Sequence, residues 1–259
     1  MCLIIFNWQP ASEEPLLLLG NRDEFYQRPS REAHHWEDKP HILAGRDLRA
    51  GGTWLGISAG LRLCTVTNYR EIPAKEGKRS RGEIPTKFLD SNLPAEEFAR
   101  GLTKQHEQYS GFNALFFDGK QLVYASNRSN APIQILEPGF YGISNHLLDS
   151  PWPKLNKAKH LAMNILASEE LTLEARNQAL LDAMMDRERP EDTHLPDTGI
   201  GIDGERLLSS IFIESAHYGT RTTSLVHFEE GMLTLTERNY TPATQKQKSK
   251  YSEQSLRPI

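Results

Sequence analysis

Short apolar runs rich in Leu, Ile, Phe and Val fill the first seventy residues, and Gly, Pro or charged residues bound each run. Such runs predict β-strands, and the unbroken apolar run at 15–20 is typical of a strand that is buried on both faces. We expect strands at residues 2–8, 15–20, 41–44, 53–58 and 62–67, with Ala59-Gly60 turning a hairpin between the last two.

Apolar residues with helical spacing follow. Ile84 and Phe88 begin one stripe, and Phe98 and Leu102 form a second stripe behind a helix start signal at 91–94. Two longer helices are predicted at 153–167 and 173–185. The other predicted elements are strands at 112–117, 121–125, 133–135, 140–143, 211–213, 221–228 and 232–236, and an acidic loop at 186–203.

The predicted order is strands, helices, strands, helices, strands, which differs from the regular βαβα alternation of a doubly wound fold. It favours an α+β protein in which two antiparallel sheets carry helices on their outer faces. The chain contains no internal repeat and no linker-like segment. We therefore predict a single domain over residues 1–259, with a frayed polar tail at 241–259.

Composition narrows the function classes. The net charge is -4, with 30 Lys and Arg against 34 Asp and Glu, which argues against a nucleic-acid binder. No apolar run has the ~20 residues that a membrane span needs. Cys2 and Cys64 are too few for a disulfide framework, and no basic leader precedes the first strand. These features predict a cytoplasmic protein with a small-molecule ligand or substrate, and they set no oligomeric state.

Several familiar patterns fail in their context. Residues 56–60 fit G-x-S-x-G, but a strand rather than a helix is predicted after them, so a hairpin turn is favoured over a serine nucleophile. Residues 199–204 fit G-x-G-x-x-G without a preceding strand. The basic run 75–81 is interpreted as a solvated loop. The nine histidines and two cysteines lack metal-ligand spacing, so no metal site is expected.

The strongest chemical candidate is Cys2. If Met1 is removed, the thiol and the free α-amine belong to one residue, and the amine has an ordinary pKa of about 7.7–8.0, which suits a general base. The alternative is a buried strand cysteine that only packs. A second candidate is the run 21–24, because charges that follow a buried strand are costly unless they are paired or functional. Its alternative is a solvated turn.

Six motifs in order carry a resemblance. They are Cys2 behind the initiator Met, and the segments 21–24 (NRDE), 51–56 (GGTWLG), 67–70 (TNYR), 144–145 (SN) and 219–221 (GTR). The chain resembles the NRDE family, also called the transport and Golgi organization protein 2 family, over residues 2 to about 225. The resemblance implies an N-terminal-nucleophile (Ntn) hydrolase-like fold, a four-layer αββα sandwich.

The resemblance also implies roles for individual residues. Cys2 matches the nucleophile. Asp23 is expected to hold the α-amine, and Arg22 to favour the thiolate. Asn145 resembles an oxyanion donor, Asn68 is a second donor candidate, and Arg221 resembles an arginine that steadies the nucleophile. The residues expected at the substrate are Asn21, Glu24, Gly51 and Gly52, although a tight turn explains the glycine pair equally well.

Three functions follow as hypotheses. The first is an Ntn-type cysteine amidohydrolase or acyltransferase on a small amide or acyl compound, without a cofactor. The second is a non-catalytic carrier or chaperone of haem or lipid in intracellular trafficking, with haem as a transported ligand, since the resembling family is associated with Golgi organization, secretion and haem movement. The third is an interaction protein with a degenerate site.

Overall fold

Two antiparallel sheets form the centre of the protein in a computed structural model that describes residues 2–240 and 250–256. Sheet I has the strand order β10-β1-β2-β11-β12-β13, and sheet II runs from β3 to β9 in chain order. The strands are β1 (Cys2–Trp8), β2 (Leu16–Phe25), β3 (Ser30–Trp36), β4 (Lys39–Asp47), β5 (Leu55–Ser58), β6 (Arg62–Asn68), β7 (Phe112–Phe117), β8 (Leu122–Ser126), β9 (Ile133–Ile135), β10 (Gly139–Ile143), β11 (Tyr218–Glu229), β12 (Met232–Asn239) and β13 (Lys250–Leu256).

The strand alternation assigns each side chain of sheet I to one of two cores. In β1, Ile4 and Phe6 pack between the sheets, whereas Leu3 and Ile5 face the helices. Successive strand residues point to opposite faces, so an apolar run without polar interruption belongs to a strand that is buried on both sides. The predictions for 2–8 and 15–20 are confirmed by this arrangement.

Helices cover the outer face of each sheet. They are α1 (Glu83–Leu89), α2 (Ala95–Thr103), α3 (Pro153–Leu166), α4 (Leu173–Ala183) and the short α5 (Ile202–Leu207). Helices α1 and α2 pack on sheet II through Phe88, which is fully buried between Phe98 and Phe116. A buried Phe contributes about 1.5–3 kcal/mol, so this cluster fixes the helices firmly. Helices α3 and α4 pack on sheet I, and the predicted αββα layering is confirmed.

Four segments differ from the sequence prediction. Strand β2 continues through residues 21–24, because β11 pairs with it as far as Phe25. Strand β3 was not predicted, because its sequence is largely polar and it lies at the edge of sheet II. Residues 211–213 are a buried loop and not a strand, since the Phe212 amide donates to the carbonyl of Asp186. Helix α5 begins inside the predicted acidic loop at 186–203.

The predicted tail falls partly outside the described residues. Residues 250–256, which were expected to be frayed, form β13 and pair with β12, while 241–249 and 257–259 are not described. The G-x-S-x-G and G-x-G-x-x-G patterns lack the structural context that their functions require. Residues 56–60 form β5 and the turn into β6, and no strand precedes 199–204. No helix in the described part of the chain is long and apolar enough to cross a membrane.

A candidate active site around Cys2

Cys2 lies at the head of β1, an inner strand of sheet I, and is only 7% exposed. It pairs with Arg22 of β2 in the strand register. By strand alternation, Cys2 and Arg22 lie on the same face of sheet I as the side chains that pack between the sheets. Both residues line a pocket of about 380 Å³. The first strand thus begins at a pocket whose lining includes residues of both sheets.

Asp23 has the opposite parity and is buried on the helix-facing side of sheet I. The Thr220 hydroxyl donates to its Oδ1 at 2.7 Å, and the Tyr218 hydroxyl donates to its backbone carbonyl at 3.1 Å. Lys154 of α3 is buried nearby, with its Nζ donating to the carbonyl of Leu208 at 2.8 Å. A cation and a hydroxyl therefore support the carboxylate from behind the nucleophile candidate.

Burial dominates the protonation of these groups. It raises the pKa of the Cys2 thiol, and Asp23 raises it further, whereas Arg22 lowers it. Burial also raises the pKa of Asp23, against the opposing effect of Lys154. The pKa of Lys154 falls to about 8 because its ammonium is removed from water. Arg22 thus acts on Cys2 in the predicted direction, but burial outweighs it and keeps the thiol protonated.

Asn21 lies away from the pocket. Its side chain is fully buried, and its Nδ2 donates to the carbonyls of Met184 and Ile211 at 2.9 Å each. Its Oδ1 accepts from the Thr223 hydroxyl at 2.7 Å. The amide therefore ties β2 to β11 and to two loops beneath it. The sequence placed Asn21 at the substrate, but the structure places it in this buried network.

Asn145 and Asn68 meet at the loop that follows β10. Asn145 is fully buried with φ 57°, and its Nδ2 donates to the backbone carbonyl of Asn68 at 3.0 Å. Its Oδ1 is buried and has no hydrogen-bond partner among the described residues. Asn68 lines the pocket, whereas Asn145 is not among the lining residues. The two predicted oxyanion donors are thus joined to each other, with Asn145 behind Asn68.

The polar wall of the pocket contains a chain of charges. Arg22 lies 3.7 Å from Glu24 and 3.8 Å from Asp47, and Arg28 forms a shorter ion pair with Asp47. Glu24 therefore lines the pocket beside Arg22, and its role at a substrate stays a prediction. Arg221 is also in the wall, at a β-bulge where the register between β11 and β2 shifts. Bulges of this kind redirect a side chain, and here the guanidinium of Arg221 donates to the carbonyl of Arg28.

The glycine pair has two distinct roles. Gly51 has φ +76°, and a Cβ there would meet no atom within 4 Å, so it serves the turn. A Cβ on Gly52 would lie 2.4 Å from the backbone oxygen of Gly82. This close approach lets the Thr53 amide donate to Gly82 at 3.1 Å and places Arg81 in the pocket wall. The sequence suggested that Gly52 allows the backbone to approach a ligand, but the close approach in the structure is to Gly82 at the start of α1. Gly51 is not among the lining residues.

Sequence reasoning missed two charged residues. Arg81 was assigned to a solvated loop at 75–81, yet it is half-buried and its Nη1 donates to the carbonyl of Gly111 at 3.0 Å. Lys154 sits on the buried stripe of α3, next to Leu155 and one turn before Ala158. A lysine at a core position of an amphipathic helix was the available signal for a buried charge.

The protein is a four-layer αββα protein, with two stacked antiparallel sheets and helices on both outer faces. A cysteine lies at the head of an inner strand beside a polar pocket. Residues 1–242 match the family described as Transport and Golgi organisation 2. The chain belongs to this family, which confirms the resemblance carried by the six motifs.

The relatives cover nearly the whole chain. The Transport and Golgi organization 2 homolog of Mus musculus is 35% identical over 260 residues, with 92% of this chain and 93% of that protein covered. The Homo sapiens homolog is 34% identical over 259 residues with the same coverage. A solved Caenorhabditis elegans N-acylethanolamine-hydrolyzing acid amidase ortholog has a TM-score of 0.45 and 11% identity, covering 86% of this chain and 92% of that chain.

Proposed function

We propose that the protein is an Ntn-type cysteine amidohydrolase or acyltransferase that acts on a small amide or acyl compound, with Cys2 as the nucleophile after removal of Met1. The observation that carries this proposal is the position of Cys2. It heads an inner strand, lines the pocket, and pairs in register with Arg22, while Asp23 follows directly on the same neighbouring strand.

The proposed reaction uses the two functional groups of one residue. The α-amine of Cys2 takes the proton from Sγ, and Sγ attacks the acyl carbon. The bond from that carbon to the leaving nitrogen breaks, and the amine returns the proton to the leaving group. Water or a second acceptor then attacks the thioester and releases Cys2. Asp23, held by Thr220, provides the carboxylate that orients the ammonium form of the amine.

A thiol with a raised pKa needs this internal base. Burial keeps Cys2 protonated near neutral pH, so a separate proton acceptor is required before Sγ can attack. An α-amine with a pKa near 8 meets that requirement once Met1 is gone. Asn68 is an amide in the pocket wall that is proposed to donate to the oxyanion, and Asn145 positions it by donating to its backbone carbonyl.

The carrier alternative requires a different lining. Sites for haem or acylated lipids are mostly apolar, with few polar groups. The pocket at Cys2 is lined by seven arginines and five acidic residues among the described residues. This lining supports a polar small-molecule substrate over a large apolar cargo. Titration with micromolar haem tests the alternative, since a carrier would give a saturable Soret shift that mutation of Cys2 perturbs.

The N-terminal peptide tests the proposal directly. After brief iodoacetamide treatment at neutral pH, we expect its mass to show that Met1 is absent and that Cys2 is alkylated faster than Cys64. Cys64 is the internal control, because it is fully buried and burial raises its pKa well above the usual range. Retention of Met1 would overturn the mechanism, because the amine would then be blocked.

Turnover provides the second test. A panel of N-acyl p-nitroanilides is screened for release of p-nitroaniline, and an acylated N-terminal peptide is sought by mass. Cys2→Ala should abolish both signals, and Cys2→Ser should abolish the thioester. Cys64→Ala is the matched control and should retain both. Full turnover in Cys2→Ala would refute the role of Cys2.

A further inference from the structure

Arginine dominates the charge of the pocket at Cys2. Its lining includes no lysine and no histidine among the described residues, and its seven arginines outnumber its acids by two. The arginines are Arg22, Arg28, Arg31, Arg46, Arg79, Arg81 and Arg221, and the acids are Asp23, Glu24, Glu32, Asp47 and Glu237. Guanidinium groups are the preferred partners of planar oxyanions.

Most of these arginines are neutralised within the protein. Arg22 and Arg28 share Asp47 and Glu24. The other paired members lie against carboxylates outside the pocket, in the pairs Arg31–Glu37, Arg46–Asp38 and Arg79–Glu83. Within the described residues, Arg81 and Arg221 have no carboxylate within ion-pair distance. Arg81 and Arg221 are therefore the two arginines of the lining that no described carboxylate neutralises.

Arg81 is the better placed of the two for a ligand. Arg221 donates to the carbonyl of Arg28, and its Nε is buried with no partner in the part of the chain that the structure describes. Arg81 uses Nη1 to donate to Gly111, which holds its side chain in place and leaves the rest of the guanidinium available. Burial lowers the pKa of Arg81, whereas Cys2 and Glu24 raise it, so Arg81 lies within electrostatic range of the nucleophile candidate.

The backbone also holds Arg81 rigidly. The bond from the Thr53 amide to Gly82 fixes the residue that follows Arg81, and Gly52 permits that approach. A half-buried cation that is fixed at both its backbone and its side chain, and that has no carboxylate partner, is preorganised for an anion from outside the protein.

We propose that Arg81 binds a carboxylate carried by the substrate, so that the enzyme acts on acyl compounds that bear a carboxylate close to the scissile bond. This substrate class rests on the proposed acyl-transfer function. A carboxylate is favoured over a phosphate because five acidic residues already line the pocket, and their charge would repel a phosphate dianion more strongly than a monoanion.

The field of Arg81 at Cys2 is measured with a matched pair of reagents. Iodoacetate carries a carboxylate and iodoacetamide is its neutral analogue, so the ratio of their alkylation rates at Cys2 reports the local attraction for anions. We expect the ratio to fall about five- to tenfold in Arg81→Gln and to recover largely in Arg81→Lys. Arg100→Gln is the control, because Arg100 is paired with Glu96 on the exposed face of α2 and is not among the residues that line the pocket, so the ratio should not change. An equal ratio in the wild-type protein and Arg81→Gln overturns the proposal.

Ligand binding separates this proposal from the proposed function. Calorimetric titration of Cys2→Ala with glutaramate, which has one carboxylate and one amide, with neutral glutaramide and with inorganic phosphate requires no nucleophile. We expect glutaramate to bind, glutaramide not to bind, and Arg81→Gln to weaken glutaramate binding at least tenfold. If Cys2 resists both alkylating reagents but glutaramate binding depends on Arg81, the nucleophile fails and the anion site stands. Glutaramate binding that is unchanged in Arg81→Gln, or phosphate binding that exceeds glutaramate binding, overturns the carboxylate site.

Discussion

Asn21 distinguishes a substrate-binding role from a structural one. The family motif places it beside the charged residues of the site, but all three hydrogen bonds of its side chain are made inside the protein. We expect Asn21→Ala to destabilise the fold while leaving the chemistry at Cys2 intact in the molecules that remain folded.

The magnitude follows from the bonds that are lost. Asn21→Ala leaves the carbonyls of Met184 and Ile211 without their donor and removes one partner of the Thr223 hydroxyl. Each bond contributes about 0.5–1.5 kcal/mol, and a buried group left unsatisfied costs about 1–3 kcal/mol. The free energy of unfolding should fall by about 2–4 kcal/mol. Asn21→Asp should cost at least as much at neutral pH, because a carboxylate would face two carbonyl oxygens.

Urea unfolding measures this loss. With an m-value of about 3 kcal/mol per molar urea, the midpoint should fall by about 1 M at unchanged m. Asn164→Ala is the control, since Asn164 is exposed on α3 and its side chain, among the described residues, contacts the His160 ring alone. The midpoint of this variant should not move. The reasoning is refuted if Asn21→Ala retains wild-type stability but loses the reactivity of Cys2 toward iodoacetamide.

Two further predictions concern Gly52 and Lys154. Gly52→Ala should destabilise the fold by more than 2 kcal/mol, because its Cβ would lie 2.4 Å from the oxygen of Gly82. Gly51→Ala should cost about 1 kcal/mol, because only its φ of +76° disfavours a side chain. Urea midpoints compare the two variants, and equal losses of stability would contradict the contact at Gly52. The pKa of Lys154 is 10.5 in the unfolded chain and about 8 in the fold, so the unfolded state binds more protons between these values and stability should rise with pH across this window. Relative to Lys154→Met, the wild-type protein should gain about 1–3 kcal/mol from pH 8 to 10.5, and parallel stability curves for the two proteins would show that the ammonium is not desolvated.

The sequence by itself determined the layers and the position of the nucleophile candidate. The unbroken apolar run at 15–20 and the run at 2–8, which Asn7 alone interrupts, predict strands that are buried on both faces. The apolar stripes at Phe88 and Phe98 predict helices that pack on a sheet. These periodicities are local, so they can be recognised without knowing which strands pair. Cys2, Arg22 and Asp23 could also be identified as candidates from the sequence, because the family motifs that contain them are short patterns along the chain.

The tertiary structure decided which of the motif residues face the pocket. Asn21 and Arg22 are neighbours in sequence, but strand alternation sends one into a buried network and the other to Cys2. Strand β2 runs on through these charges because β11, two hundred residues away along the chain, supplies its hydrogen bonds. No local pattern contains that partner.

Contacts between segments that are distant in sequence also explain why sequence reasoning missed Arg81 and Lys154. Arg81 stands in a basic run that is typical of a solvated loop, and it enters the pocket only because Gly52 lets Gly82 approach its backbone. Lys154 carries its charge into the core because Asp23 lies on the facing strand. The energetic cost of a buried charge is set by its neighbours in space, and that is why the fold, rather than the order of residues, determines what these side chains do.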